Sequence, residues 1–235
     1  MLNSLKILNT IRQISDRKAQ EVFDYILYTY IPETNRTVIE EVISLLERFD
    51  YMLIGGWAVS FYYEGRRKTS PDDIDFKLEP NAVDELIRLL HQHDFKILRN
   101  SYDPASQSQW LVMRKGGQNV DIGYASKPWE HEAIKHARPF YHSRLGVKVK
   151  IIPPEYLIVS KLFASREKDL LDVVFLIKSG KVDIEKAKKL VKKFLPSFDL
   201  EELETLIVYA STFDDDKLRQ VFGDELLARK ERKYS

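Results

Sequence analysis

The chain has no cysteine, so disulfide bonds and thiolate catalysis are excluded, as is usual for a protein of a reducing compartment. Its 37 basic and 36 acidic residues nearly cancel, which leaves a net charge of +1. Binding to nucleic acid or to a membrane surface would therefore need a local patch. No apolar run approaches the roughly 20 residues that span a bilayer. We expect a globular protein of the cytoplasm.

Hydrophobic periodicity predicts an α+β chain of 235 residues whose strands lie in its middle. This segment contains short apolar runs and one clear hairpin, in which Gly116-Gly117 joins two alternating strands. The pattern predicts an α+β middle with helices before and after it. It divides the chain into an N-terminal helical extension (1–35), a core (36–154) and a C-terminal helical region (155–235).

The helices are predicted from apolar stripes and from capping residues. Thr37, followed three residues later by Glu40, is the predicted N-cap of the helix that leads into the first strand. The two helices before it carry no catalytic motif, and we expect them to pack against a domain or to form a homo-oligomer contact. The other predicted helices are 3–15, 18–30, 155–165, 167–178, 183–194 and 199–211.

Two acidic residues, Asp73 and Asp75, stand at the start of a predicted strand. Residues two apart in a strand point to the same face, so these carboxylates would lie side by side and repel each other. Mg²⁺ suits such a site, because it takes a few carboxylates together with phosphate oxygens. The alternative is a pair of solvated acids at a strand end.

A third acid, Asp121, lies in the second strand of the predicted hairpin, between Val120 and Ile122. An unpaired carboxylate is costly to bury among apolar residues. It could form a salt bridge to Arg114 or Lys115 across the same hairpin. If the hairpin instead lies beside the strand of Asp75, three carboxylates converge and a metal ion would stabilise them.

Gly55-Gly56 stands where a short apolar strand ends and a helix begins. Backbone N–H groups and the positive end of a helix dipole can bind an anion at such a position. The alternative is a tight turn with no ligand.

Together and in this order, these residues resemble the nucleotidyltransferase superfamily to which DNA polymerase beta belongs. Within it they are similar to the small prokaryotic branch of AbiEii-type toxins, antibiotic nucleotidyltransferases and minimal nucleotidyltransferases. The resemblance covers roughly residues 38 to 180 and implies the nucleotidyltransferase fold, a mixed β-sheet flanked by helices, with N-terminal and C-terminal helical extensions. The motifs that carry it are Gly55-Gly56, Arg67 with Thr69, Asp73 with Asp75, and Asp121.

The resemblance implies a metal-dependent transfer of a nucleoside monophosphate from a triphosphate such as ATP to a hydroxyl acceptor, with release of pyrophosphate. Asp73, Asp75 and Asp121 would be the catalytic residues and the ligands of Mg²⁺ or Mn²⁺. Gly55 and Gly56 would bind the triphosphate.

The resemblance continues into the predicted C-terminal helices. It implies that Lys161 contacts the nucleotide phosphates and that Asp169 and Asp172 orient this lysine or brace the helix. The alternative is a solvated helix face on which Lys168 and Asp172 form an i, i+4 pair.

One departure concerns the turn before the acids. Thr69 stands four residues ahead of Asp73, whereas the family spacing is two. The roles of Arg67 and Thr69 are therefore open.

The acceptor could be a small molecule, a protein or an RNA. The lysine-rich helix after Gly180 could bind an RNA backbone, or it is solvated or paired with Glu201, Glu202 and Glu204. The alternative function is a nucleotide-binding or toxin–antitoxin regulatory module that has the fold but little turnover.

Overall fold

The computed structural model describes residues 17–27, 33–64, 74–103, 107–142, 146–218 and 220–222. The chain divides into two compact units, Met1–Pro153 and Pro154–Ser235. Within the described ranges, none of the helices combines the length and the apolar character that crossing a membrane requires.

The first unit contains a seven-stranded sheet in the order β3-β4-β5-β2-β1-β7-β6. The pairs β2–β5 and β1–β7 are parallel, and the other neighbouring strands are antiparallel. The predicted mixed sheet is confirmed. Its strands are β1 (Tyr51–Leu53), β2 (Ile74–Leu78), β3 (Lys96–Asp103), β4 (Ser108–Lys115), β5 (Gln118–Tyr124), β6 (Arg138–His142) and β7 (Val147–Ile151).

The helices described in the first unit are α1 (17–27), α2 (Glu33–Leu46), α3 (Gly55–Tyr62), α4 (Val83–Gln92) and α5 (Pro128–Lys135). The predicted N-cap at Thr37 is wrong, because α2 begins at Glu33 and Thr37 lies inside it. An acidic residue in the first turn favours this earlier start through the helix dipole. The predicted helix 3–15 lies outside the described residues.

The alternation of side chains along β2 sets the two faces of the sheet. Ile74, Phe76 and Leu78 are fully buried on one face. On the same face of β5, Val120 and Ile122 stand in register with Ile74 and Phe76 and are also fully buried. The helix α2 contacts β5, β7 and α4. Because successive side chains of a strand point to opposite faces, the polar residues of β2 and β5 face the other way.

The second unit is helical. Its described residues form α6 (Pro154–Ala164), α7 (Glu167–Lys178), α8 (Ile184–Phe194) and α9 (Leu200–Thr212), and residues 215–218 and 220–222 are also helical. Asp183 and Asp199 cap α8 and α9 by accepting hydrogen bonds from the backbone N–H groups of Lys186 and Glu201. The helices predicted for this region are confirmed, and their ends differ from the predicted ones by at most about one residue.

Candidate active site

Asp75 on β2 and Asp121 on β5 stand directly opposite each other in the parallel ladder. Paired residues of neighbouring strands point to the same face, and neighbouring strands lie about 4.8 Å apart. Both side chains are partly exposed. These two residues, which we call the acidic pair, therefore place two carboxylates side by side. Asp73 lies outside the described residues, and so do Arg67 and Thr69.

The cations of the hairpin are engaged by groups other than Asp121. Arg114 donates from Nε to Asn119 Oδ1 at 2.7 Å. Lys115 Nζ donates to Glu41 Oε2 at 2.8 Å. The residue of β4 opposite Asp121 is Val112. These contacts do not support the alternative of a salt bridge from Asp121 to Arg114 or Lys115.

Gly55 is the first residue of α3 and has a φ of +64°, a conformation that favours glycine. A Cβ atom at this position would overlap the carboxylate of Asp75, since it would lie only 3.0 Å from Cγ. Next to it, the backbone N–H of Ile54 donates to the carbonyl of Asp75 at 3.0 Å. Gly55 is therefore required both by the turn and by the carboxylate that packs against it.

This contact brings the start of α3 next to the acidic pair. The N-terminus of a helix carries partial positive charge and favours a negative group beside it. Gly56 follows in the same first turn and is partly exposed. The glycine turn and the acidic pair are thus parts of one site, which joins a helix N-terminus to two carboxylates.

The acidic pair fits a divalent metal by its chemistry. Its donors are hard oxygens, they share one face, and they are partly open to solvent, which suits Mg²⁺. Among the residues whose positions are described, no three His, Asp or Glu side chains form a metal-binding group. The third predicted ligand, Asp73, is outside those residues.

Lys77, which the sequence analysis did not single out, is buried on the face of the acidic pair and only 4% exposed. Its Nζ lies 2.8 Å from Glu130 Oε1 on α5. It also donates to Ser108 Oγ at 2.8 Å and to the carbonyl of Tyr124 at 3.3 Å. The ring centroid of Trp110 is 4.9 Å away. The ammonium group is therefore held by a carboxylate, a hydroxyl and a carbonyl beneath an aromatic ring.

The stem of Lys77 crosses β5 at Gly123, its partner in the ladder. A Cβ atom on Gly123 would lie 2.9 Å from both Cε and Nζ of Lys77, so only glycine leaves this path open. Burial lowers the pKa of Lys77, while the charges of Glu130 and Asp75 act in the opposite direction. Burial raises the pKa of Glu130, but the charge and hydrogen bond of Lys77 outweigh it and hold that pKa below its ordinary value.

Lys161 lies in the second unit, where it is also buried. Its Nζ is 3.0 Å from Asp169 Oδ1 and 2.8 Å from Asp172 Oδ2. Arg166 Nε is 2.6 Å from Asp169 Oδ2. We call these four residues the lysine–aspartate group. Asp169 and Asp172 are 0% and 2% exposed, so the alternative of a solvated face is wrong for them.

The lysine–aspartate group is electrically balanced, with two cations and two carboxylates. Burial raises the pKa of Asp169, but the hydrogen bond from Arg166 and the charge of Lys161 outweigh it. The pKa of this carboxyl is therefore lowered, and both neighbours stabilise its charged form.

The lysines of α8 are partly paired. Lys188 Nζ lies 2.7 Å from Glu204 on α9, as expected for pairing with the acidic start of that helix. Lys186 Nζ lies 3.3 Å from Glu155 on α6. Lys189 and Lys192 are exposed.

A cavity of about 720 Å³ lies at the other end of β1 and β2 from the acidic pair. His131 Nδ1 and Glu79 Oε2 lie 2.8 Å apart at its wall. Neither Asp75 nor Asp121 lines it, so it is separate from the candidate active site.

No protein-family model matches the chain, and no curated protein matches it significantly. The chain is similar to several solved structures. ANT(2'')-Ia in complex with adenylyl-2''-tobramycin is 18% identical with a TM-score of 0.49, covering 69% of this chain and 98% of that one. The lincomycin-bound lincosamide antibiotic adenylyltransferase LnuA is 19% identical with a TM-score of 0.43, covering 63% and 97%.

An antigenic nucleotidyltransferase-like protein from Paracoccidioides brasiliensis is 18% identical, with a TM-score of 0.43, and the match covers 72% of this chain and 91% of that one. These similar structures belong to nucleotidyltransferases and related proteins. All three TM-scores are below 0.5.

Proposed function

We propose that this protein is a metal-dependent nucleotidyltransferase that moves a nucleoside monophosphate from a triphosphate to a hydroxyl acceptor and releases pyrophosphate. The observation that supports this most is the acidic pair in register on β2 and β5, with Gly55 packed against Asp75. Two carboxylates beside a glycine turn at a helix N-terminus provide ligands for a cation and donors for an anion.

In the proposed reaction, Asp73, Asp75 and Asp121 hold Mg²⁺ or Mn²⁺. When bound, the metal would lower the pKa of the acceptor hydroxyl and neutralise charge on the triphosphate. Asp121 is the carboxylate assigned to the acceptor side. The backbone N–H groups at Gly55 and Gly56 bind the phosphates and align the α-phosphorus for attack by the acceptor oxygen.

Lys161 is the proposed phosphate contact of the second unit. Asp169 and Asp172 hold its ammonium group within about 3 Å and so fix its position. A cation restrained in this way loses little side-chain freedom when a ligand binds.

The proposal includes membership of the AbiEii-type branch. A small molecule, a protein and an RNA are each acceptors in this class of reaction as we propose it, and a cytoplasmic location would give access to all three. Oligomer formation through the N-terminal helices also belongs to the proposal.

The experiment that tests the function is transfer of label from each α-³²P-labelled triphosphate, with Mg²⁺, to the components of a cell extract. Label on RNA, on protein or on a small molecule would each identify the acceptor class. Calorimetry with each triphosphate, with and without Mg²⁺, tests binding separately. Metal-dependent triphosphate binding without any labelled product would favour the alternative of a regulatory module.

Asp121→Asn and Asp73→Asn are expected to reduce transfer on the order of a thousandfold or more, because each removes a ligand of the charge-neutralising metal. The variants should keep the circular dichroism spectrum of the folded protein. Asp84→Asn, which changes an exposed acid on α4, is the matched control and should keep full activity. Full activity of Asp121→Asn would contradict the proposed site.

A further inference from the structure

Lys77 is a fixed positive charge close to the acidic pair. It follows Asp75 by two residues on the same face of β2, and its ladder partner Gly123 follows Asp121 by two residues on β5. Residues two apart in a strand are separated by about 6.6 Å along it. The cation is therefore within electrostatic reach of the carboxylates.

The position of this charge is determined by its surroundings. An ammonium group has three N–H donors, and here Glu130, Ser108 and the carbonyl of Tyr124 accept from them. The path over Gly123 leaves the stem no room to shift toward β5. The side chain is held away from solvent, so Lys77 acts on the acidic pair through its field.

Glu130 is equally fixed on its other side. Its second oxygen, Oε2, accepts from the backbone N–H of Ser126 at 2.8 Å and from that of Lys127 at 3.1 Å, where α5 begins. The pair of Lys77 and Glu130 thus fixes one positive and one negative charge, with the positive charge on the strand of Asp75.

We propose that Lys77 is a built-in positive charge that weakens the binding of a free divalent cation to Asp75 and Asp121. This inference rests on the proposed function, which assigns a metal to the acidic pair. A positive charge repels an incoming cation through the protein, where screening is weaker than in water. A site of this kind favours a metal that arrives already bound to a triphosphate.

The proposal predicts opposite changes in Mn²⁺ affinity when the charge of Lys77 or that of Glu130 is removed. Lys77→Met removes the repelling charge and should bind Mn²⁺ alone roughly tenfold more tightly than the wild type. Glu130→Gln removes the negative charge that balances Lys77 and should bind Mn²⁺ more weakly. A purely structural ion pair predicts weaker binding in both variants, because loss of either partner would disturb the site.

The experiment is calorimetric titration of the full chain with Mn²⁺ alone at neutral pH, with thermal unfolding of each variant measured in parallel. The matched control is Lys115→Met, since Lys115 Nζ is also 2.8 Å from its carboxylate partner, Glu41, but belongs to a different ion pair of the same unit. Lys115→Met should keep the wild-type affinity for Mn²⁺. Tighter binding by Lys77→Met supports the proposal, whereas unchanged or weaker binding overturns it.

Two further results keep the test decisive. If Lys77→Met does not fold, Lys77→Gln decides, because it removes the charge and keeps a side chain that can donate hydrogen bonds: tighter binding of Mn²⁺ supports the proposal, and unchanged or weaker binding overturns it. If neither the wild type nor Lys77→Met binds Mn²⁺, the proposed metal site fails and this inference fails with it. Binding by the wild type that Asp121→Asn abolishes, with no change in Lys77→Met, overturns only the role of Lys77.

Discussion

The acidic pair and the lysine–aspartate group both contain two aspartates, yet their surroundings are opposite. In the second unit, Asp169 and Asp172 are almost completely buried, and Lys161 lies within 3.0 Å of both. In the first unit, Asp75 and Asp121 are partly exposed and stand beside each other. One arrangement alternates charges of opposite sign, while the other places like charges together.

The difference indicates what each region contributes. Breaking a buried ion pair leaves an uncompensated charge, so the aspartates of the second unit are needed for the folded state. Like charges side by side repel, so the aspartates of the first unit are better suited to a ligand than to stability. We therefore expect variants of the lysine–aspartate group to lower stability more than variants of the acidic pair.

The largest effect on stability is expected for Asp169→Asn, which should lower the free energy of unfolding by about 3–5 kcal/mol. The reason is that Arg166 and Lys161 both lose a charged partner. Asp121→Asn should lower this free energy by much less, because the side chain of Asp121 is partly exposed. Urea denaturation of both variants checks this contrast. An equal loss in the two would show that the acidic pair is also a structural element.

A smaller effect on stability is expected for Gly55→Ala, and Gly146→Ala is its matched control. Gly146→Ala places a side chain at a φ of +68° with no neighbouring atom within 4 Å, so it should cost about 1–2 kcal/mol of backbone strain. Gly55→Ala has similar strain and also overlaps the carboxylate of Asp75. Its loss of unfolding free energy should be larger than that of Gly146→Ala, and thermal or urea unfolding measures the difference. Equal losses would mean that the carboxylate moves aside freely.

The smallest expected effect is the change with pH in the stability that Asp169 of the lysine–aspartate group contributes. The pKa of Asp169 is lowered in the folded protein, so its stabilisation is fully present above the ordinary pKa of about 3.9. The stabilisation is lost as the pH falls through the lower folded pKa. The stability difference between wild type and Asp169→Asn should therefore narrow below about pH 4. Thermal unfolding from about pH 7 to about pH 3 measures this stability difference. A difference that stays constant over this range would contradict a lowered pKa of Asp169.

Helices and hairpins could be predicted from the sequence where one short segment contains both the apolar periodicity and the turn residues. The Gly116-Gly117 hairpin and the helices α6 to α9 are confirmed, because their apolar periodicity and turn residues lie within single segments. Residues 125–146 had no clear pattern, and the structure places α5 and β6 there. The short α5 begins with a proline, and one of its buried residues is the charged Glu130, which weakens the apolar periodic signal.

The candidate site was predictable only in its parts. Asp75, Asp121 and Gly55 are recognisable from the residues around them, whereas the register that brings the aspartates together depends on the pairing of strands distant in sequence. Lys77 could have been noticed as a charged residue between Phe76 and Leu78 in a buried strand, which requires a partner. That the partner is Glu130 depends on where α5 packs, and no local signal contains this.

The apolar face of β2 and β5 determines how the two strands align, in addition to forming part of the core. Ile74 and Phe76 pair with Val120 and Ile122, and this match aligns the two strands. A slip by one residue would carry Asp75 to the opposite face. The alignment of the two carboxylates therefore depends on hydrocarbon side chains on the opposite face of the sheet. A substitution of one of these apolar residues that changes the strand pairing would abolish the proposed activity, although every residue of the candidate active site is unchanged.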